Sequence, residues 1–278
     1  MPGLDMGRRA ATAPGVRRLT TVTPVIRATG ALRGTLVRET RRFALNELRP
    51  RDVAARYTLR DGGRAVVIRH HSSDVMILDE IFSAGEYALP EPVAATLDAL
   101  DAPRVVDLGA NIGLFGVWLL NRWPAATLVA YEPNPGNAEV LERVVALNDA
   151  ADRWTVRRAA AATAPGTLTF LAGRGSTSRV VDADGDGTVT VEAVDAFADL
   201  ADCDLAKIDV EGGEWALLAD PRFASLPARV VFVEYHPHGC PGPDPGADAQ
   251  RLVAAAGYAV HHAPKDIPGY GVVWGTRA

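Results

Sequence analysis

Seven side chains able to hold charge or move a proton stand at the ends of short apolar runs. They are Asp107 after Val105 and Val106, Glu132 after Thr127–Tyr131, Asp209, Glu211 and Glu214 after Leu205–Ile208, and Glu234 with His236 after Val230–Val233. Short β-branched runs separated by helical patterns read as buried parallel strands, whose carboxyl ends open on one ligand-binding crevice. A carboxylate placed there repels phosphate and suits a cation. Asp209, Glu211 and Glu214 raise one another's proton affinity, so one can serve as a general base or the group can hold a cation. His236 is of the type suited to taking a proton from a hydroxyl near neutral pH.

The turn after Asp107 narrows the ligand. Arg104 to Trp118 reads RVVDLGANIGLFGVW, with Gly109, Gly113 and Gly116 leading into the helical positions Leu114, Val117 and Leu120. Glycine is expected where a close ligand leaves no room for a Cβ or where the turn needs positive φ. No glycine holds the diphosphate-cradling spacing of G-x-G-x-x-G, and Asp107 would repel a diphosphate. S-adenosylmethionine carries an ammonium and a sulfonium and no phosphate, so it fits acids and glycines better than a nicotinamide carrier does. Glu132, 25 residues beyond Asp107, offers two oxygens to two vicinal ribose hydroxyls. The small residues Ala159 to Ala162 leave space for an adenine ring.

Two other patterns carry less. Asp182 to Gly187 opens like a calcium loop, but its twelfth position is Ala193 in a strand where a glutamate is required, so a solvated turn is the better reading. The His236, His238 and Cys240 cluster lacks the second, separated ligand pair of a zinc site.

These side chains must be held by an alternating α/β chain. Arg56 to His71 reads as two strands around the turn Asp61-Gly62-Gly63. Helical spacing at Val75, Leu78, Ile81 and Phe82, a break at Gly85 and a second helix from Pro92 to Leu100 complete a small cap. Glu86 and Tyr87 lie within reach of the glycine turn, although burial as a structural tyrosine is the ordinary role for Tyr87. Strands at Thr127–Tyr131 and Trp154–Arg158 flank a helix from Asn137 to Leu147. Gly166–Leu171 and Thr188–Val194 read as an inserted antiparallel pair, joined through a loop whose Ser176, Thr177 and Ser178 line the pocket or the surface. Gly212-Gly213 starts a helix carrying Trp215, Leu217 and Leu218. Lys207, inside a strand, is either paired in the core or snorkelling. A helix from Asp248 to Ala256 and strands at Tyr258–His262 and Gly271–Trp274 end the chain in a β-hairpin. Should the strand order reverse between the Asp107 and Asp209 strands, both turns flank the same crevice.

Composition sets the outer limits. The chain has 278 residues and is 48% hydrophobic, enough for a sizeable core, and its formal charge of −5 gives no reason to expect nucleic acid or an anionic membrane. Two cysteines, Cys203 and Cys240, make no disulfide framework and suit the cytoplasm, and no run of apolar residues is long enough to span a bilayer. The expected division is an Arg-rich disordered extension over 1–43, an N-terminal cap over 44–101 and a methyl-donor-binding domain over 102–278. The alternative for the extension is an organellar transit peptide.

Three blocks carry a resemblance. VVDLGANIGLFG (Val105 to Gly116), YEPNPGN (Tyr131 to Asn137) and KIDVEGGEWALL (Lys207 to Leu218) resemble the signature blocks of FkbM-type S-adenosylmethionine-dependent O-methyltransferases, and Glu234 to His236 is similar to a fourth. The resemblance implies a class I methyltransferase fold: a Rossmann-like, seven-stranded, mainly parallel sheet with helices on both faces and the last strand antiparallel. It implies methyl transfer to a hydroxyl of a small molecule, a sugar or natural-product intermediate. It places Asp107, Gly109 and Asn111 at the methionine end of the donor, Glu132 at the ribose, and Asp209 and Glu211 on the reaction floor. The donor-binding set is completed by Ala110, Gly113, Pro133, Asn134 and Ala160, and the catalytic set is Asp209, Glu211 and His236. A divalent ion on Asp209, Glu234 and His236 is the alternative means of activating the hydroxyl. A nicotinamide oxidoreductase and a non-catalytic donor-binding domain are the competing classes. Neither the acceptor nor the oligomeric state is legible.

Overall fold

The computed structural model describes residues 33–49, 51–85, 87–171, 179–180, 188–265 and 267–277. A 3-10 turn, Arg33–Leu36, and helix α1 (Thr40–Leu48) precede an antiparallel hairpin of β1 (Ala54–Thr58) and β2 (Ala65–Arg69). Gly62 and Gly63 both adopt positive φ in its turn, the conformation that the Asp-Gly-Gly sequence signals. The extension expected to run to residue 43 is corrected here. The stretch from Arg33 to Phe43 is folded, because Val37 and Phe43 are fully buried and Phe43 packs 4.9 Å from the Tyr57 ring. A buried polar chain reinforces the contact: Asn46 donates to the Tyr57 hydroxyl, which meets His70 Nε2 at 2.6 Å, and His70 Nδ1 meets Glu47 at 2.7 Å. Residues 1–32, with the targeting alternative, lie outside the described residues, as do Glu86, Ser176, Thr177, Ser178 and the stretch 181–187.

Helices α2 (Asp74–Phe82) and α3 (Glu91–Asp98) complete the cap, and the chain then enters β3 (Arg104–Leu108), α4 (Leu114–Arg122), β4 (Thr127–Tyr131), α5 (Pro135–Leu147) and β5 (Trp154–Arg157). The small strands β6 (Ala160–Ala162), β7 (Gly166–Leu171), β8 (Arg179–Val180) and β9 (Thr188–Asp195) form a separate four-stranded sheet in the order β6-β9-β7-β8. After α6 (Phe197–Leu200) come β10 (Leu205–Ile208), α7 (Glu214–Ala219), β11 (Val230–Tyr235), α8 (Pro245–Ala255), β12 (Ala259–Pro264) and β13 (Gly271–Thr276). The main sheet has seven strands in the order β12-β13-β11-β10-β3-β4-β5, with β13 antiparallel to both of its neighbours. This is the class I arrangement that the motif blocks imply.

Strand β3 pairs with β4 on one side and β10 on the other, so the order reverses beside Asp107. Register and the two-residue side-chain period then sort the site. Lys207 lies opposite Asp107 on one side and Phe232 on the other. Alternation puts Asp107, Lys207, Asp209 and Glu234 toward the face where Val75, Leu78 and Ile81 of α2 pack with Val105, Leu205 and Phe232. The opposite face buries Val106, Ile208 and Val233 against Trp215, Leu217 and Val253. Several boundaries differ from the sequence reading, two of them beside the site. Strand β11 continues to Tyr235 because Glu234 and Tyr235 still pair with Val272 and Gly271, and α5 starts at Pro135 because the Asn134 side chain caps it by accepting from the Gly136 and Asn137 amides.

Candidate active site

A cavity of about 400 Å³ opens at the carboxyl ends of β3, β4, β10 and β11. Of the expected donor-binding residues, Gly109, Ala110, Asn111, Glu132, Pro133, Ala160 and Asp209 lie on its wall, and Glu211 joins them from the catalytic set. Ile77 and Ile81 of α2, with Tyr87 and Phe115, form an apolar side. Asp107, Gly113, Asn134 and His236 are placed otherwise. Asp107 is fully buried beneath Lys207, and Gly113 is the left-handed N-cap of α4, packed on Leu141 and Trp154. Asn134 spends its side chain on capping α5, and His236 is 4% exposed behind Glu211.

At the β3–β4 end, Glu132 is built as an acceptor. Its Oε2 accepts from the Asn111 amide at 2.8 Å and its Oε1 from the Asn134 amide at 2.8 Å, which leaves each oxygen further lone-pair capacity. Asn111 takes φ 50° to make that contact, and its Oδ1 is buried with no hydrogen-bond partner among the described residues. Burial pushes the Glu132 carboxyl up to about 7, against the pull of those amides. The role expected of the glycines changes at Gly109. A Cβ there would lie 1.7 Å from the Asp209 carbonyl oxygen, so the glycine admits the neighbouring backbone rather than a ligand. The two motif turns touch through that missing side chain.

The β10–β11 end is a charged floor. Lys207 Nζ lies 2.9 Å from Asp107 as an ion pair and donates to Asp209 at 3.3 Å and to the Gly109 carbonyl at 3.2 Å. Burial works against its charge, but the two aspartates outweigh it and hold the ammonium protonated. Lys207 is thus paired in the core and shields Asp107 from the cavity. Glu214 is fully buried. Its Oε1 accepts from the His236 amide at 2.8 Å and meets His236 Nδ1 at 3.1 Å, while its Oε2 accepts from the Gly212 amide at 2.7 Å. His236 Nε2 then stands 3.5 Å from Glu211 Oε2. Burial alone would depress the imidazole, but Glu214, Asp209 and Glu211 together push it up to about 9. The imidazole thereby favours its protonated form, which leaves Glu211 and Asp209, on the cavity wall, the better placed of the three expected candidates for the proton acceptor. Burial, opposed by His236 and aided by the neighbouring acids, raises Glu211 to about 8. Glu234, raised to about 7 by burial and Asp209, is held by Lys265 at 2.7 Å.

The alternative metal ligands do converge: donor atoms of Asp209, Glu234 and His236 lie within 4.8 Å of one another. Each already has an ionic partner, Lys207 for Asp209, Lys265 for Glu234 and Glu214 for His236. Lys207 and Lys265 thus already supply positive charge to the cluster that a divalent ion would neutralise, and a metal on His236 Nε2 would need the ring unprotonated there. Cys240 belongs to no such group; its thiol turns to Asp248 at 3.6 Å. The sequence reading named Lys207 as paired in the core or snorkelling and Glu214 as one of three acids, but not their roles as ionic hub and internal anchor. For Lys207 the available signal was a lysine within an apolar strand flanked by acids.

Residues 107–259 match the family described as the methyltransferase FkbM domain. A stretch of 66 residues is 41% identical to methyltransferase sdnD of Sordaria araneosa, covering 24% of this chain and 26% of that protein. Among solved structures, methyltransferase FkbM from Methylobacillus flagellatus KT aligns at 15% identity and a TM-score of 0.47, over 74% of this chain and 54% of its own. TYW2 of P. horikoshii, solved in complex with MeSAdo, aligns at 16% identity and a TM-score of 0.44, over 82% of this chain and 72% of its own.

Proposed function

The chain belongs to the FkbM methyltransferase domain family, and on that premise we propose that it methylates a hydroxyl oxygen of a small molecule, a sugar or natural-product intermediate, in the cytoplasm, with S-adenosylmethionine as donor. When bound, the donor supplies a methyl group on a sulfonium, open to in-line attack by the acceptor oxygen. The observation that carries the reading is the charge of the β10–β11 floor. Among the described residues, Asp107, Asp209, Glu211, Glu214 and Glu234 gather around Lys207, Lys265 and His236, and these cations are committed to carboxylates already. Such a floor favours a cation and offers a diphosphate nothing.

The residues divide the work by position. Glu132 would receive the ribose hydroxyls, the free Asn111 Oδ1 and Asp209 the donor's ammonium, and Ala160 with Pro133 the adenine ring. Glu211 or Asp209, on the cavity wall, would take the proton from the acceptor hydroxyl as the oxygen attacks. The apolar side from Ile77, Ile81, Tyr87 and Phe115 excludes water and holds the acceptor's body, so alignment supplies most of the rate.

Calorimetry with S-adenosylmethionine, S-adenosylhomocysteine and NAD in turn tests the donor. Binding of the first two and not the third is expected; NAD binding in their place refutes the reading. Transfer of labelled methyl into a panel of hydroxyl compounds, with release of S-adenosylhomocysteine, tests the reaction and excludes a non-catalytic binding domain.

A further inference from the structure

We propose that Glu214 is the positioning residue of this site: one enclosed carboxylate fixes the loops after β10 and β11 together, so that the His236 ring stands directly behind Glu211 at the cavity floor. The proposal rests on the methyltransferase reading for its purpose, and on geometry alone for its mechanism. Glu214 has no exposed surface, so it touches neither donor nor acceptor. Its two oxygens serve two different loops: Oε2 takes the Gly212 amide, and Oε1 takes both the His236 amide and the His236 ring. The next residue works in the opposite hydrogen-bond sense on the same segment, since Trp215 Nε1 donates to the carbonyls of His236 at 3.1 Å and His238 at 3.0 Å. Glu214 and Trp215 together thus hold the loop after β11 by its amide, its ring and two carbonyls.

The backbone around this anchor is forced into place. Glu211 takes φ 53°, a left-handed conformation that disfavours a non-glycine residue. Gly212, at φ 102°, would put a Cβ 2.9 Å from the His238 ring, and Gly239 would put one 2.9 Å from the Gly212 carbonyl oxygen. The loops cross so closely that each needs a glycine, and the Gly212 amide bonded to Glu214 is the tie beside the strained residue. Glu211 is then presented with its side chain 34% exposed, 3.5 Å from His236 Nε2. The groups facing the His236 ring are Glu214 on α7, Asp209 and Glu211 on the loop after β10, Glu234 on β11, and the edge of Tyr270, 5.5 Å away.

The test is nuclear magnetic resonance of the full chain with labelled histidine, on wild type, Glu214→Gln and Glu214→Asp. In wild type at pH 7 the His236 ring is expected to carry protons on both nitrogens, with protected Gly212 and His236 amides. Glu214→Gln is expected to lower the His236 titration midpoint by at least one pH unit, a tenfold loss of proton affinity, and to deprotect the Gly212 amide. Glu214→Asp is expected to restore part of both. A His236 ring that is neutral in wild type at pH 7, or one whose signature survives Glu214→Gln unchanged, overturns the proposal even where a variant folds poorly. Failure of wild type to bind S-adenosylhomocysteine would overturn the methyltransferase reading instead and leave the ring measurement standing.

Discussion

Raising the pH from 6 to 8 is expected to tighten donor binding and to make binding release protons. Glu211 lies on the cavity wall with its carboxyl raised to about 8, chiefly by burial. With that value about nine in ten Glu211 side chains are protonated at pH 7, so a cationic donor must drive off a proton to gain the charge. A donor that pulls this group down by about two units releases about 0.8 proton at pH 7 and binds about 25-fold more tightly at pH 8 than at pH 6. Glu132, raised to about 7, adds to the effect in the same direction if ribose hydroxyls favour its charged form. Calorimetry at pH 7 in two buffers of different ionisation enthalpy counts the protons, and titrations at pH 6, 7 and 8 give the slope. S-adenosylhomocysteine, which lacks the sulfonium charge, should show a shallower slope, and Glu211→Gln should remove most of it. Donor affinity that is flat from pH 6 to 8 with no proton release, or a Glu211→Gln slope equal to wild type, refutes the reasoning that the floor recognises positive charge.

Three further outcomes follow from the same geometry. Asp107→Asn leaves a buried ammonium short of its nearest partner and should cost about 3 kcal/mol in urea unfolding, with donor binding lost in calorimetry. Gly109→Ala should abolish donor binding and lower the melting temperature, because the new Cβ would meet the Asp209 carbonyl at 1.7 Å and the φ of 86° disfavours alanine; a variant with wild-type melting and binding would show that the two turns are not in contact. Without donor, thermal stability should fall as pH rises from 6 to 9. Glu132, Glu211 and Glu234 are raised above the ordinary carboxyl range and His236 above the ordinary imidazole, so the folded state favours their protonated forms and loses that advantage as pH passes through about 7 to 9. Scanning calorimetry reads this directly, and melting that rises over the same range would contradict it.

The fold was legible because its signals are local and repeated. Four apolar runs each ending in an acid, a turn rich in glycine and a Pro-Asn helix start all follow from short-range chemistry, and the strands they mark pair in the order that brings Asp107 and Asp209 together. The end of the extension was misplaced for the opposite reason. Val37 and Phe43 stand in an arginine-rich stretch with no periodic pattern, and only the hairpin that buries them, 14 residues from Phe43 to Tyr57, reveals them as core.

Within the site, type and spacing gave the acids but could not rank them. Asp209, Glu211 and Glu214 look alike along the chain, yet one is paired to a buried lysine, one lies on the cavity wall and one is sealed beneath two loops. What separates them is which partner each meets: Asp209 meets Lys207, which Asp107 on the neighbouring strand also holds, while Glu211 and Glu214 meet His236, at the end of a strand that only the sheet order makes adjacent. The same reasoning bears on His236. A histidine at a strand end reads as a base while its surroundings are unknown, but a ring bonded to an enclosed carboxylate, with a second carboxyl group 3.5 Å away, favours its protonated form. In the proposed reaction its effect on an acceptor proton would be indirect: its charge opposes the burial that raises Glu211, and with a cationic donor also bound Glu211 would ionise and could receive the proton.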